Sequence, residues 1–199
     1  MTGGRIAVFL DRDGTLNEEV NFVRSPEQFT MLPGAADAVG TLNRHGIIVC
    51  IISNQSGVAR GFFTEEDLVP IHRKLEGELG RSGARIDRIY YCPHHPTEGK
   101  PPYNVACSCR KPGIGMLQQA AREFGLDLQR SFVVGDRIVD IQAGRTAGAT
   151  SMLVLTGYGP HALEECREQG VSPDYIVRDI AEAAGIIIQK TKGETPEND

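Results

Sequence analysis

An apolar run at residues 6–10 ends in Asp11 and Asp13, separated by one residue and followed by Gly14-Thr15. Alternate side chains of an extended chain share a side, so both carboxylates face one way. Carboxylates this close repel each other unless a cation is shared, and a hard divalent ion such as Mg2+ takes carboxylate and carbonyl oxygens. A second apolar run, 47–52, ends in Ser53-Asn54-Gln55-Ser56-Gly57, where a hydroxyl and open backbone N–H groups can receive phosphate oxygens. Arg110-Lys111-Pro112 pairs a planar guanidinium with a point-charge ammonium, an anion clamp. Asp136 follows a third run and Asp140 lies four residues on, one helical turn away, able to support it around a metal. Each feature has a plainer reading: turn chemistry for 53–57, a solvated pair for Arg110-Lys111, a helix cap for Asp136. Four strand ends with complementary chemistry are hard to dismiss together.

A different cluster lies between the second and third of these. Cys92-Pro93-His94 and Cys107-Ser108-Cys109 offer three thiols and one imidazole, a set that suits tetrahedral zinc with no open position. The gaps are narrower than the usual two residues, and a set of free buried thiols is the plainer alternative. Cys109 adjoins Arg110 and Lys111, so a metal that fixes the loop also fixes the clamp. His95 competes with His94 as ligand on spacing alone. Cys50 and Cys166 read as buried thiols, and His45, His72 and His161 as surface or helix histidines.

The elements that must position these groups follow from the patterning. Short apolar, β-branched runs at 6–10, 47–52, 86–91, 132–134, 151–155 and 175–177 alternate with amphipathic stretches of helical length, the pattern of a parallel sheet covered on both faces. Pro33-Gly34, Thr64 with Asp67, and Pro112-Gly113 mark helix starts, and another helix begins at Ile138. Such sheets bind ligands beyond the carboxyl ends of their strands, where the residues above lie. The loops 14–32 and 92–111 exceed what a compact connection needs. The first reads as a flap over the site and the second as tied by metal.

The chain has 199 residues, 24% charged and 40% hydrophobic, with a net charge of -5. This is the make-up of one globular domain, expected over 1–189, with a polar, disordered tail at 190–199. The acidic balance argues against a general nucleic-acid partner. No apolar run approaches the length of a signal or membrane segment, and five cysteines, three within 92–109, do not suit a secreted disulfide framework. A cytoplasmic monomer without a membrane partner is expected.

The motifs DxDGT at 11–15, the Ser53 strand end, Lys111 and GDxxxD at 135–140 resemble those of the haloacid dehalogenase superfamily of phosphotransferases. The resemblance spans about residues 6–148 and implies a Rossmann-like, doubly wound α/β fold. It implies Asp11 as nucleophile and Asp13 as general acid then base, with Ser53, Asn54 and Lys111 holding the phosphoryl group. Mg2+ would be bound by Asp11, the Asp13 carbonyl and Asp136. Within the superfamily, NQSGVARG, YYCPHHP and CSCRKP are similar to D-glycero-D-manno-heptose 1,7-bisphosphate 7-phosphatases, with histidinol-phosphate phosphatases as close relatives. That likeness implies no large cap domain and a structural Zn2+ on Cys92, His94, Cys107 and Cys109, favouring His94 over His95. It also implies a role in making nucleotide-activated heptose for the lipopolysaccharide core.

A second phosphate on the substrate favours arginine, whereas an ammonium favours an acidic contact. Ser56 is neutral, and Arg60, Arg110 and Arg137 are expected near the cleft, so the bisphosphate is preferred over histidinol phosphate. Arg110 and Arg137, with Glu19, Asn21 and Phe22 of the flap, are the expected substrate contacts. A non-catalytic phospho-receiver or regulatory module is the alternative from another class; an acid/base at Asp13 argues for hydrolysing an acyl phosphate rather than storing it. A purely structural zinc module explains none of the four strand ends.

Overall fold

The computed structural model describes residues 4–192. Strand β1 (Ala7–Leu10) is buried at every position because both faces of the sheet are covered, which is why it reads as an unbroken apolar run. With β2 (Ile48–Asn54), β3 (Arg88–Cys92), β4 (Phe132–Gly135), β5 (Thr150–Val154) and β6 (Tyr175–Val177) it forms one sheet ordered β3-β2-β1-β4-β5-β6, all neighbours parallel. The six expected strands are all present, with boundaries moved by at most two residues.

Side-chain alternation sorts the helices. Val8, Leu10, Val49 and Ile51 face an apolar layer built from α1 (Ala35–Arg44), α2 (Glu65–Arg81) and α6 (Ile180–Lys192). Ala7, Phe9, Cys50 and Ile52 meet Met116, Leu117 and Ala120 of α3 (Gly115–Phe124) on the other face. There Leu153 also packs with α4 (Ile138–Ala147) and α5 (Gly159–Glu168). The chain leaves β1 toward β2 on one side and returns to β4 on the other, so a crevice opens at their carboxyl ends. Asp11, Ser53 and Asp136 stand there.

The expected helix starts are recovered with two adjustments. Thr64 and Asp67 form a reciprocal capping box at α2, but α3 begins at Gly115, after a cis Lys111–Pro112 peptide. Asp136 does not cap α4. Arg137 takes the cap position, and its backbone N–H donates to Asp140 Oδ2 at 3.0 Å. The tail begins later than its composition implied, because residues 190–192 continue α6, with the Thr191 hydroxyl donating to the Ile187 carbonyl at 3.0 Å and Lys190 over the Tyr175 ring. Positions 193–199 lie outside the described residues. No helix among the described residues is long and apolar enough to cross a membrane.

Candidate active site and metal centres

Asp11 closes β1 and Asp136 closes β4, and their oxygens lie with those of Asp140 within 4.8 Å of one another, all three residues buried. Burial first, then the like charges of Asp11 and Asp140, push Asp136 up to about 8. Burial likewise raises Asp11 to about 6, opposed by Lys111 and reinforced by Asp140 and Asp13. Asp136 Oδ1 is buried without a hydrogen-bond partner. A divalent cation relieves both the repulsion and the orphaned oxygen, so the donor set fits Mg2+.

Two glycines leave room around Asp136. Gly14 has φ +80, and a Cβ there would stand 2.0 Å from Asp136 Oδ2; one on Gly157, with φ +54, would stand 2.3 Å from the same oxygen. The remaining contact to that oxygen is the Tyr158 backbone N–H, at 2.8 Å.

Lys111 is the cation of the cluster. Its Nζ lies 2.9 Å from Asp11 Oδ1 and 2.5 Å from Asp140 Oδ1, and donates to the Ile52 carbonyl at 2.8 Å. Burial alone would lower its pKa, but Asp11 and Asp140 more than reverse this. Asp140 thus supports the site by holding Lys111 as well as by sitting beside Asp136. The Asn54 side chain accepts from the Lys111 N–H and donates to the Lys111 carbonyl, each at 3.0 Å. Its amide thus positions Lys111, while the residue also lines the cleft beside Ser53. Ser53 stays at the strand end, its hydroxyl accepting from Gln55 Nε2 at 2.8 Å.

Asp13 turns away from the carboxylate cluster. It receives two Arg12 guanidinium nitrogens and one amide each from Asn17 and Gln55, at 2.8–3.0 Å. Burial would raise its pKa, but the Arg12 charge and these bonds hold it below the usual carboxylate range. In this arrangement Asp13 is an anion and an acceptor. Donating a proton requires the clamp to relax.

Asp11, Asp13, Ser53, Asn54 and Lys111 line one cavity of about 610 Å³, together with Glu19, Asn21, Phe22, Arg110 and Arg137, so the geometry brings every expected catalytic, phosphate and substrate residue to one cleft, whereas Asp136 and Asp140 are fully buried and do not line it. Arg60 joins them, as does His161, which was expected merely to decorate a helix. Glu19 is raised by burial first, then by Asp13, against Arg137, whose Nη2 is 3.8 Å from it.

Beside this cleft the second centre assembles as its spacing implied. Cys109 Sγ lies 3.2 Å from both Cys92 Sγ and Cys107 Sγ, and 3.4 Å from His94 Nδ1. A tetrahedron with 2.3 Å metal–sulfur bonds has edges of about 3.8 Å, so the four donors lie slightly inside zinc spacing. His95 is elsewhere, its Nδ1 accepting the Glu98 N–H at 3.0 Å. The loop reaches the cleft through Arg110, whose Nη1 donates to the His94 carbonyl at 3.2 Å. Cys50 and Cys166 are buried and belong to neither donor set.

A HAD-hydrolase-like family model matches residues 108–183. A D-glycero-D-manno-heptose-1,7-bisphosphate 7-phosphatase of Thermosynechococcus vestitus is 43% identical to this chain over 183 residues, covering 90% of it and 93% of the relative. The chain belongs to this heptose bisphosphate phosphatase family. A further member, the D-glycero-beta-D-manno-heptose-1,7-bisphosphate 7-phosphatase of Pasteurella multocida, is 39% identical, with 91% and 96% covered. The crystal structure of the D,D-heptose 1,7-bisphosphate phosphatase from B. bronchiseptica, complexed with magnesium and phosphate, superposes with a TM-score of 0.83 at 36% identity, covering 93% of this chain and 99% of that one.

Three residues of this heptose bisphosphate phosphatase family member carried no signal in the sequence. Arg12 is fully buried although its type and place beside two acids suggest solvent, and His72, expected as an ordinary helix histidine, stands 3.5 Å from Arg12 Nη1. Tyr158 follows β5 and had no motif around it. A glycine on each side, at 157 and 159, is the one cue that the backbone passes close to something there.

Proposed function

We propose that this protein is a Mg2+-dependent phosphatase that removes the 7-phosphate of D-glycero-D-manno-heptose 1,7-bisphosphate through an aspartyl-phosphate on Asp11. The observation that carries this reading is the convergence of Asp11, Asp136 and Lys111 at one strand-end crevice with Arg110 and Arg137 on its walls. The family relationship and the magnesium and phosphate named for the B. bronchiseptica structure support it.

A carboxylate oxygen of Asp11 attacks phosphorus and the bond to the sugar oxygen breaks. Asp13, once protonated and released from Arg12, gives its proton to that oxygen. Asp13 then takes a proton from water, the water oxygen attacks phosphorus, and the Asp11–phosphorus bond breaks to release inorganic phosphate. Lys111 and Ser53 hold the phosphoryl oxygens, and Asp140 and Asn54 hold Lys111. Mg2+, held by Asp11, the Asp13 carbonyl and Asp136, would supply neutralisation of phosphoryl charge, the main requirement of this transfer. Arg110 and Arg137 meet the 1-phosphate, while Glu19, Asn21 and Phe22 face the sugar. Cys92, His94, Cys107 and Cys109 would hold Zn2+, which would keep the loop leading into Arg110 and Lys111 in place. The protein acts on a small phosphorylated sugar as a cytoplasmic monomer, its catalytic domain spanning 1–189, in the supply of activated heptose.

The test is turnover of the heptose bisphosphate, heptose 7-phosphate and histidinol phosphate with Mg2+, with 31P NMR to identify the phosphate lost. The bisphosphate should show the highest kcat/KM and keep its 1-phosphate. A higher kcat/KM on histidinol phosphate would refute the substrate. Asp11→Asn should fold, bind and fail to turn over, and labelled phosphate trapped on any residue other than Asp11 would refute the mechanism.

A further inference from the structure

Three loops of the cleft meet on one side chain with no role so far. The Tyr158 backbone N–H donates to Asp136, its ring lies under the Arg137 guanidinium with Cζ 3.9 Å from the ring centroid, and its hydroxyl donates to Asn21 Oδ1 at 2.9 Å. It therefore joins the β4 loop, the β5 loop and the flap. Tyr158 belongs to none of the three apolar clusters, so its ring is not there to fill the core.

Both of its side-chain partners need holding. The Arg137 side chain is 47% exposed and its carboxylate neighbour Glu19 is 3.8 Å away, too far for a hydrogen bond. A long guanidinium side chain so exposed samples many rotamers, and ordering it on binding costs affinity. Stacking on a tyrosine face restricts it in advance while leaving its N–H groups free to point into the cleft. Asn21 has φ +70, alone among the described non-glycine residues in that region, and its side chain is fixed by the Tyr158 hydroxyl. Glu19 and Phe22 line the cleft on either side of Asn21 in the same loop.

We propose that Tyr158 is a positioning residue that presents Arg137 to the anionic end of the substrate remote from Asp11 and pins the flap, and so sets the preference for a doubly over a singly phosphorylated sugar. The proposal rests on the reading that Arg137 meets a second phosphate. It assigns Tyr158 two separable actions, one through the ring and one through the hydroxyl.

The experiment compares Tyr158→Phe and Tyr158→Leu, each with and without Arg137→Ala, on heptose 1,7-bisphosphate and heptose 7-phosphate. Tyr158→Leu should raise KM for the bisphosphate by about 10-fold, the size of one cation–π contact read as an equilibrium factor, while the ratio of kcat/KM between bisphosphate and monophosphate falls by a similar amount. In the Arg137→Ala background the same change should add no more than about 2-fold, because the two side chains act as one unit. Tyr158→Phe keeps the ring and should instead speed amide exchange at 18–23 in the substrate-free protein. Equal losses on both substrates, full additivity with Arg137→Ala, or unchanged flap exchange in Tyr158→Phe would each overturn the proposal. A wild-type enzyme with no preference for the bisphosphate would instead overturn the substrate reading, while the exchange measurement, made without substrate, still tests the pinned flap.

Discussion

Lys111 is fully enclosed among Asp11, Asp140 and the Ile52 carbonyl, so removing it does two things at once. It deletes a preorganised positive charge at the phosphoryl site and leaves two buried carboxylates facing each other. Lys111→Ala should lower kcat by about 10^2 to 10^3, the scale seen on removing one such stabiliser. Thermal stability should fall as well, and excess Mg2+ should recover part of it; a variant with unchanged kcat would remove Lys111 from the transition state. Arg12 and His72 give a second residue-scale test. Burial first and the Arg12 charge second push His72 down to about 4, from an ordinary 6.5, with Asp13 offsetting little. The unfolded chain therefore binds a proton at His72 across that interval and the folded one does not. The contribution of His72 to stability should be constant above about 6.5, decline as pH falls toward 4, and level off below. Urea melts of the wild type and His72→Gln at saturating Mg2+ should diverge in slope only between those values. Parallel curves would mean that His72 titrates normally.

At the level of elements, the strands were legible because a parallel, two-sided sheet demands continuous apolar runs, and the proposed catalytic aspartates because they end such runs. Side chains that act through partners distant in sequence were not. Asn54 reads as a phosphate donor, and only the fold shows that its amide also holds the backbone of Lys111, 57 positions away. Arg12 looks solvated until its guanidinium meets Asp13 and His72 in the interior, with Asn17 and Gln55 holding the same Asp13 carboxylate. The loop from β3 to α3 was legible through its cysteines, but its second tether was not: Tyr103 and Tyr91 both donate to Glu65, the first residue of α2, at 2.7 and 2.8 Å. This gives Cys107→Ser a graded outcome. The variant should purify without zinc, melt at lower temperature and be cut faster by protease within 93–107, since a structural zinc of this kind can supply on the order of 10 kcal/mol of ordering. The Glu65 tether should keep Tyr103 in place, and Mg2+ should still bind at Asp11 and Asp136. Wild-type stability in a zinc-free variant would show that the four donors hold nothing.

For the whole molecule, the decisive feature is that β1, the strand leading into Asp11, lies inside the sheet, with β2 on one side and β4 on the other. A chain ending at residue 125 keeps three strands and three helices but leaves one side of β1 open, along with the apolar surfaces that α6 covers. It should show no cooperative urea transition and should aggregate, whereas the full chain should melt cooperatively; a cooperative transition in the shorter chain would make β1 to β3 an independent unit. The same placement has a meaning for the order in which the protein is made. Val8 pairs with Val49 on one side and with Phe132 on the other, so its last neighbour emerges 124 residues after it. At about 5–20 residues per second that is a wait of roughly 6 to 25 s, during which an all-apolar strand has an unpaired side. The first strand synthesised thus waits longer for its second neighbour than any other interior strand of the sheet. Asp11 and Asp136 meet only when β4 docks, so a growing chain exposes one edge of an all-apolar strand well before the two carboxylates come together.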